Sequence, residues 1–214
     1  MPVSRMDIAR KVIKRIVSNT ELTSSANFGL MEWGHPYRYI RWPYDYRYDT
    51  WRYNWYGTRI RVPIDKDGAR KIFTDVDNVF AGGGTYLAPA LNIARSYFAN
   101  GHSGFPSPRI PGAKCQANYI IVISDGVWAS HGSVRSTARD LKNQYEIKTF
   151  SVGFAVGNAS SSTKQRYVDL AVDGGTVSPL YADNEAEMIA KLTDAIKQVV
   201  SGSLSFNSPA VMSD

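Results

Sequence analysis

The sequence predicts one doubly wound α/β domain, an open and mostly parallel sheet with helices on both faces. Three observations predict it. Segments with helical apolar spacing alternate with short strand-like segments along the chain, the pattern of repeated strand–helix units. The run Tyr119-Ile-Ile-Val-Ile123 is apolar without interruption, as expected of a parallel strand buried on both faces. The length of 214 residues suits a single sizeable core, and nothing in the composition requires a second.

The elements follow in order. Residues 5–17 place Ile8, Ala9, Val12, Ile13, Ile16 and Val17 along one helical face, and Ser4 with Asp7 forms a capping box at its start. Two strands are expected over residues 27–33 and 58–64. In the second, Ile60, Val62 and Ile64 alternate with Thr58, Arg59, Arg61 and Pro63, and alternation with a proline suits a sheet edge. Asp65-Lys-Asp-Gly68 begins like a calcium loop but lacks its later ligands, so it reads as a turn. A short helix within residues 69–79 leads to the loop Ala81-Gly-Gly-Gly-Thr-Tyr86. A helix over residues 87–98 follows, with Leu91 and Ala94 inward. After a proline-rich connection, the strand at residues 119–123 ends in Ser124-Asp125-Gly126. A helix at 133–145, a strand at 147–152, a helix at 164–172, a strand at 177–181 and a helix at 184–200 complete the series. The domain is therefore read as residues 1–202, and residues 203–214, polar and carrying Pro209, as a linker toward a further domain.

Composition excludes several functions. The formal charge of +6 and pI near 9.4 permit contact with acidic surfaces, but Lys and Arg are dispersed, so no nucleic-acid partner is named. Cys115 stands alone, which removes a disulfide framework and a cysteine zinc site within the chain. His35, His102 and His131 lie far apart, with no second His or Cys at metal-ligand spacing. No Ser/His/Asp arrangement stands out and Cys115 has no evident base, so the chain is expected not to be an enzyme. The longest apolar run falls far short of the roughly 20 residues of a membrane helix, so no membrane insertion is expected. Residues 1–5 contain no hydrophobic secretion segment.

In an open α/β sheet, ligands bind beyond the carboxyl ends of the strands. Asp125 ends the buried strand and Thr85 sits just before a helix, which brings both to one rim. Gly83-Gly-Thr85 before a helix, Tyr119-Ile-Ile-Val-Ile-Ser-Asp-Gly126 and Lys148-Thr-Phe-Ser-Val-Gly-Phe154 together resemble the core of von Willebrand factor type A domains, a Rossmann-like fold. The resemblance implies that Thr85 and Asp125 match the second and third elements of a metal-ion-dependent adhesion site. There a divalent cation such as Mg²⁺ is held by oxygen alone and completed by an acidic side chain of a protein or host-surface ligand. The family's first element, Asp-x-Ser-x-Ser at the end of the first, central strand, would lie ahead of Ser4, and residues 1–5 hold no aspartate. The first central strand is therefore read as missing from these residues, and metal binding is expected to be weak or none.

Within that family, Cys115-Gln-Ala-Asn-Tyr-Ile-Ile-Val-Ile-Ser-Asp-Gly126, Gly57-Thr-Arg-Ile-Arg-Val-Pro-Ile64 and Ser205-Phe-Asn-Ser-Pro-Ala-Val211 resemble the PilY-type adhesins of type IV pilus tips. That resemblance implies a cell-surface, pilus-tip location with minor pilins as partners, and a β-propeller with a calcium loop beyond the linker. Where relatives carry Thr-Pro-Leu, this chain has Thr85-Tyr86-Leu87, which keeps the hydroxyl and changes what approaches it. Residues 35–57 form an aromatic insertion whose Tyr37, Arg38, Tyr39, Arg41, Trp42, Tyr44, Trp51, Arg52 and Trp55 are of the types enriched in binding hot spots. With Tyr86 they are candidate ligand contacts, the alternative being a loop packed on itself. Three rival functions are weighed: an intracellular adaptor domain partnering an ATPase machine, a nucleotide-using Rossmann-like enzyme with Gly82–Thr85 as phosphate loop, and nucleic-acid binding through the insertion.

Overall fold

A computed structural model describes residues 4–34, 58–79, 85–110, 112–113 and 116–204, the last four by backbone alone. The insertion at 35–57, residues 80–84, Cys115 and residues 205–214 lie outside the described residues.

The first helix, α1 (Arg5–Val17), starts as the sequence predicts. Ser4 Oγ accepts from the Asp7 amide at 3.1 Å, and Asp7 Oδ2 accepts from the Ser4 amide at 3.3 Å, which satisfies two orphan donors reciprocally. Its inward face buries Val12, Ile16 and Val17. A single turn, α2 (Thr20–Thr23), leads to β1 (Phe28–Glu32), which pairs antiparallel with β2 (Arg59–Asp65), Leu30 opposite Val62. The Asp65–Gly68 segment is a turn, with the Asp67 amide donating to Asp65 Oδ1 at 2.8 Å. It opens into α3 (Gly68–Asp75), extended by a 3₁₀ turn at Val76–Asn78.

Next come α4 (Leu87–Asn100), β3 (Asn118–Ser124), α5 (His131–Tyr145), β4 (Ile147–Phe154), α6 (Ser161–Asp173), β5 (Leu180–Ala182) and α7 (Glu185–Leu204). Strands β3, β4 and β5 form a parallel sheet in that order. Successive side chains of β3 point to opposite faces. Ile120 and Val122 pack with Leu87, Leu91, Phe98, Val134 and Leu141 of α4 and α5, and Ile121 and Ile123 with Val12, Ile16, Met188 and Leu192 of α1 and α7. Helices cover both faces, as the doubly wound class requires.

Two expectations are corrected. The last strand begins at Leu180, three residues later than expected, and Val177 is 95% exposed. The apolar run of β3 is also not fully buried: only Val122 and Ser124 are, while Tyr119, Ile120, Ile121 and Ile123 stay half-buried. The reason lies in the topology, because among the described residues β3 has a hydrogen-bonded neighbour, β4, on one side only, and β1–β2 form a separate sheet. By contrast β4, flanked on both sides, buries Ile147, Thr149 and the whole of Ser151–Phe154.

One glycine fixes how α3 meets β1. A Cβ on Gly68 would come within 1.8 Å of the Phe28 carbonyl oxygen, backbone that cannot rotate away. Gly68→Ala is expected to destabilise by about 1–3 kcal/mol, the usual range for overpacking, read as a lowered urea midpoint. An unchanged midpoint would show that α3 and β1 slide freely.

Candidate functional site

Two loops meet at the carboxyl rim of the parallel sheet. The chain leaves β3 through Asp125, Gly126, Val127 and Trp128 and turns into α5 at Ser130, held in the left-handed region at φ 55°. Thr85 lies just before α4, and its carbonyl accepts from the Ala129 amide at 2.9 Å. That bond ties the Thr85 loop to the Asp125 loop, so the rim the sequence predicts is formed. Tyr86, in the cap position of α4, stands on the same rim.

Asp125 is 55% exposed at its side chain, and its Oδ2 lies 3.3 Å from Arg5 Nη1, itself 56% exposed. An ion pair this open contributes little to stability, but it places positive charge from the first turn of α1 beside the carboxylate. Ser124 Oγ is turned away from solvent and donates to the Gly126 carbonyl at 3.1 Å.

What holds the Asp125 loop from behind has no signature in the sequence. Helix α6 clasps it with adjacent residues. Tyr167 donates its hydroxyl hydrogen to the Gly126 carbonyl at 2.6 Å, with the Ser124 carbonyl 3.3 Å away, and Arg166 Nη1 donates to the Trp128 carbonyl at 2.5 Å. Trp128, 1% exposed, meets the Tyr167 ring edge-on at a centroid distance of 5.0 Å. Burial pushes the Tyr167 hydroxyl up to about 12, with the Asp125 charge acting in the same direction. It therefore remains a protonated donor at neutral pH.

Further along, His131 Nε2 lies 2.8 Å from Asp169 Oδ2, while Arg135 and Arg139 reach Asp173 at 2.5 and 3.4 Å. Burial works to raise the Asp169 carboxyl, but hydrogen bonds from Gln165 and His131 and the Arg135 charge outweigh it and hold it below the usual carboxylate range. Thus α6 grips both the loop and the first turns of α5. A cavity of about 480 Å³ opens at the other end of β3, lined by Ala99, Ser107, Gln116, Asn118 and Tyr145, away from Asp125.

A hard divalent cation needs about six oxygen ligands. This rim offers the Thr85 hydroxyl and the Asp125 carboxylate, and the latter already faces Arg5. Among the described residues, no group of three or more His, Cys, Asp or Glu side chains converges on a metal position. The donors are of the right kind but too few, so the described residues do not fit a resident cation by themselves. Of the candidate contacts, Thr85, Tyr86 and Asp125 are placed together, while Tyr37, Arg38, Tyr39, Arg41, Trp42, Tyr44, Trp51, Arg52 and Trp55 lie outside the described residues. No helix among the described residues is long and apolar enough to cross a membrane.

Residues 1–197 match the von Willebrand factor type A domain family. No curated protein matches the chain.

Proposed function

Because this chain belongs to the von Willebrand factor type A domain family, a family of protein-interaction and adhesion modules, we propose that it is the adhesive, non-enzymatic domain of a type IV pilus tip protein. The observation that carries the reading is the solvent-open Asp125 at the carboxyl end of β3, tied to Thr85 through the Ala129–Thr85 bond and clasped by α6. A half-exposed carboxylate beside an arginine on a rigid rim is suited to polar recognition of another protein. The pilus assignment rests on the resemblance of the segments 115–126, 57–64 and 205–211 to pilus-tip adhesins. The partners are then minor pilins and a host-surface protein presenting an acidic side chain. Cation dependence requires oxygen donors in addition to Thr85 and Asp125, and the insertion at 35–57 supplies the aromatic and arginine contacts.

Immunogold labelling of the native cells, with affinity capture on the full chain, tests this reading. Labelling of pilus tips with recovery of minor pilins supports it. Cytoplasmic labelling with recovery of an ATPase replaces it by the adaptor reading. For the chain of 214 residues, 5 mM Mg²⁺ is expected to raise the melting temperature by less than about 1 °C, since a ligand at concentrations below its Kd stabilises by under about 0.4 kcal/mol. A shift of several degrees that vanishes in Asp125→Ala would show that the two donors suffice.

A further inference from the structure

The end of the domain opposite the Asp125 rim collects cations that its own carboxylates do not neutralise. It is built where α5 ends at Tyr145 and β4 begins at Ile147, opposite Asn118 at the start of β3. Arg109 lies over the Tyr145 ring, its guanidinium carbon 5.5 Å from the ring centroid. Lys142, one helical turn before Tyr145, sits beside Lys148, since a Cβ on Gly175 would lie 2.7 Å from Lys142 Cδ and 3.7 Å from Lys148 Cγ. Among the described residues Arg61, Arg95, Arg135 and Arg139 all meet carboxylates, but Arg109, Lys142 and Lys148 form no ion pair.

Large apolar side chains are exposed in the same region. Of the five that the described residues leave open, three fall here: Ile110 at 67%, Val172 at 52% and Val177 at 95%. Ile110 follows Arg109. The Val172 carbonyl accepts from the Gly175 amide at 3.1 Å, and Val177 stands two residues beyond that glycine. Exposed aliphatics are ordinary when scattered singly, but grouped beside unpaired cations they mark an interaction surface.

Beside Arg109 this surface is concave, because Arg109, Ile110 and Glu146 also line the cavity of about 480 Å³. The backbone that carries Arg109 is held in place. Gln116 Oε1 accepts from the Ile110 amide at 2.7 Å and its Nε2 donates to the Pro108 carbonyl at 2.7 Å. Ser107 Oγ donates to the Phe98 carbonyl at 2.7 Å and accepts from the Arg109 amide at 3.2 Å. With its backbone fixed on either side and its planar head stacked on Tyr145, the guanidinium is a preformed fork that suits a single carboxylate. Glu146, also without an ion-pair partner among the described residues, selects between anions. Its charge opposes closely packed phosphates more than one carboxylate already neutralised by Arg109.

We infer that this end is a second protein-binding face, which takes an extended acidic segment of a partner. One carboxylate of the segment meets Arg109, an aliphatic side chain lies against Ile110, and a further acid meets Lys142 and Lys148. Complementary charge then sets the register and the rate of encounter, while the aliphatic contact adds burial. The face lies at the amino ends of β3 and β4, so it stands whether or not the Asp125 rim holds a cation or a partner of its own.

The test follows NMR amide shifts of the 214-residue protein against the peptide acetyl-Glu-Leu-Asp-Val-Glu-amide at low salt, beside a copy with every acid replaced by its amide. Shifts are expected at Arg109, Ile110, Tyr145 and Lys148, with at least tenfold weaker binding of the amide copy. Arg109→Ala is expected to lose at least tenfold in affinity and Arg109→Lys several-fold, both with an unchanged melting temperature. Lys191→Ala, at an exposed position of α7, is expected to bind as the wild type does, which separates a site from general attraction to a basic protein. Equal losses in Arg109→Ala and Lys191→Ala, or no shifts at these residues with millimolar peptide, overturn the inference. Co-sedimentation with phosphatidylserine vesicles that is lost in Arg109→Ala, with the peptide left unbound, also overturns it and makes this end a membrane-facing surface.

Discussion

Arg61→Ala is expected to destabilise the domain by about 3 kcal/mol, at the lower end of the cost of breaking a buried ion pair. Arg61 projects from β2 with its side chain 8% exposed, and it serves two carboxylates at once. Nε and Nη2 form a fork on Asp75 at 2.5 and 2.8 Å, and Nη1 donates to Glu32 at 2.9 Å. The network joins β2, β1 and the end of α3, adding to the β1–β2 ladder and to the Arg59–Glu32 and Lys71–Asp65 pairs. Removing the guanidinium leaves the partly buried Asp75 carboxylate without its fork, which costs more than the bonds themselves, while Glu32 keeps only its bond from Arg59 at 2.6 Å. Lysine does not restore the fork, since an ammonium cannot grip both oxygens of Asp75 in one plane.

The same network sets a pH dependence whose sign is fixed. The hydrogen bond from Arg61 holds the Asp75 carboxyl below its ordinary value of 3.8, against the opposing effect of burial. A carboxyl depressed in the folded state contributes stability that is fully present above its unfolded value and lost as pH falls through its folded one. The wild-type urea midpoint is therefore expected to fall below pH 4, and Arg61→Ala to flatten that part of the curve. Parallel curves for the two proteins would show that the acid-labile stability lies elsewhere. Asp65 and Asp7, also held low by hydrogen bonds from Lys71 and Ser4, contribute a residual slope in both.

What was legible in the sequence is what local chemistry decides. The capping box at Ser4 and Asp7, the edge character of the Pro63 strand and the turn at Asp65–Gly68 need only their own neighbours, and each forms as expected. The rim also followed from residue order, because a strand ending in Asp125 and a loop ending in Thr85 meet wherever parallel strands precede helices. Burial was misread at β3, since apolar content tells what a strand can bury and only its flanks tell what it does. The α6 clasp was illegible for a different reason. Arg166 and Tyr167 read as ordinary helical residues, and their purpose depends on a loop some 40 positions earlier (Gly126 to Tyr167 is 41).

That clasp carries the second large prediction. Trp128→Ala is expected to cost about 3–5 kcal/mol, the range for emptying a buried aromatic site, because Trp128 is 1% exposed within the core formed with Leu87, Val134 and Leu170. Tyr167→Phe keeps the ring and its edge contact with Trp128 but removes the hydroxyl that the Gly126 carbonyl accepts from, so a smaller loss of about 1–3 kcal/mol is expected. The two variants separate packing from positioning. If Tyr167 positions the Asp125 loop, exchange of the Gly126 and Val127 amides in Tyr167→Phe speeds up by more than its global destabilisation accounts for, because a loop freed from α6 opens locally without unfolding the domain. Trp128→Ala opens the same loop along with the core. Exchange at Gly126 and Val127 that merely tracks the global loss in Tyr167→Phe would reduce Tyr167 to a core residue, leaving the rigidity of the rim to the Ala129–Thr85 bond and Arg166.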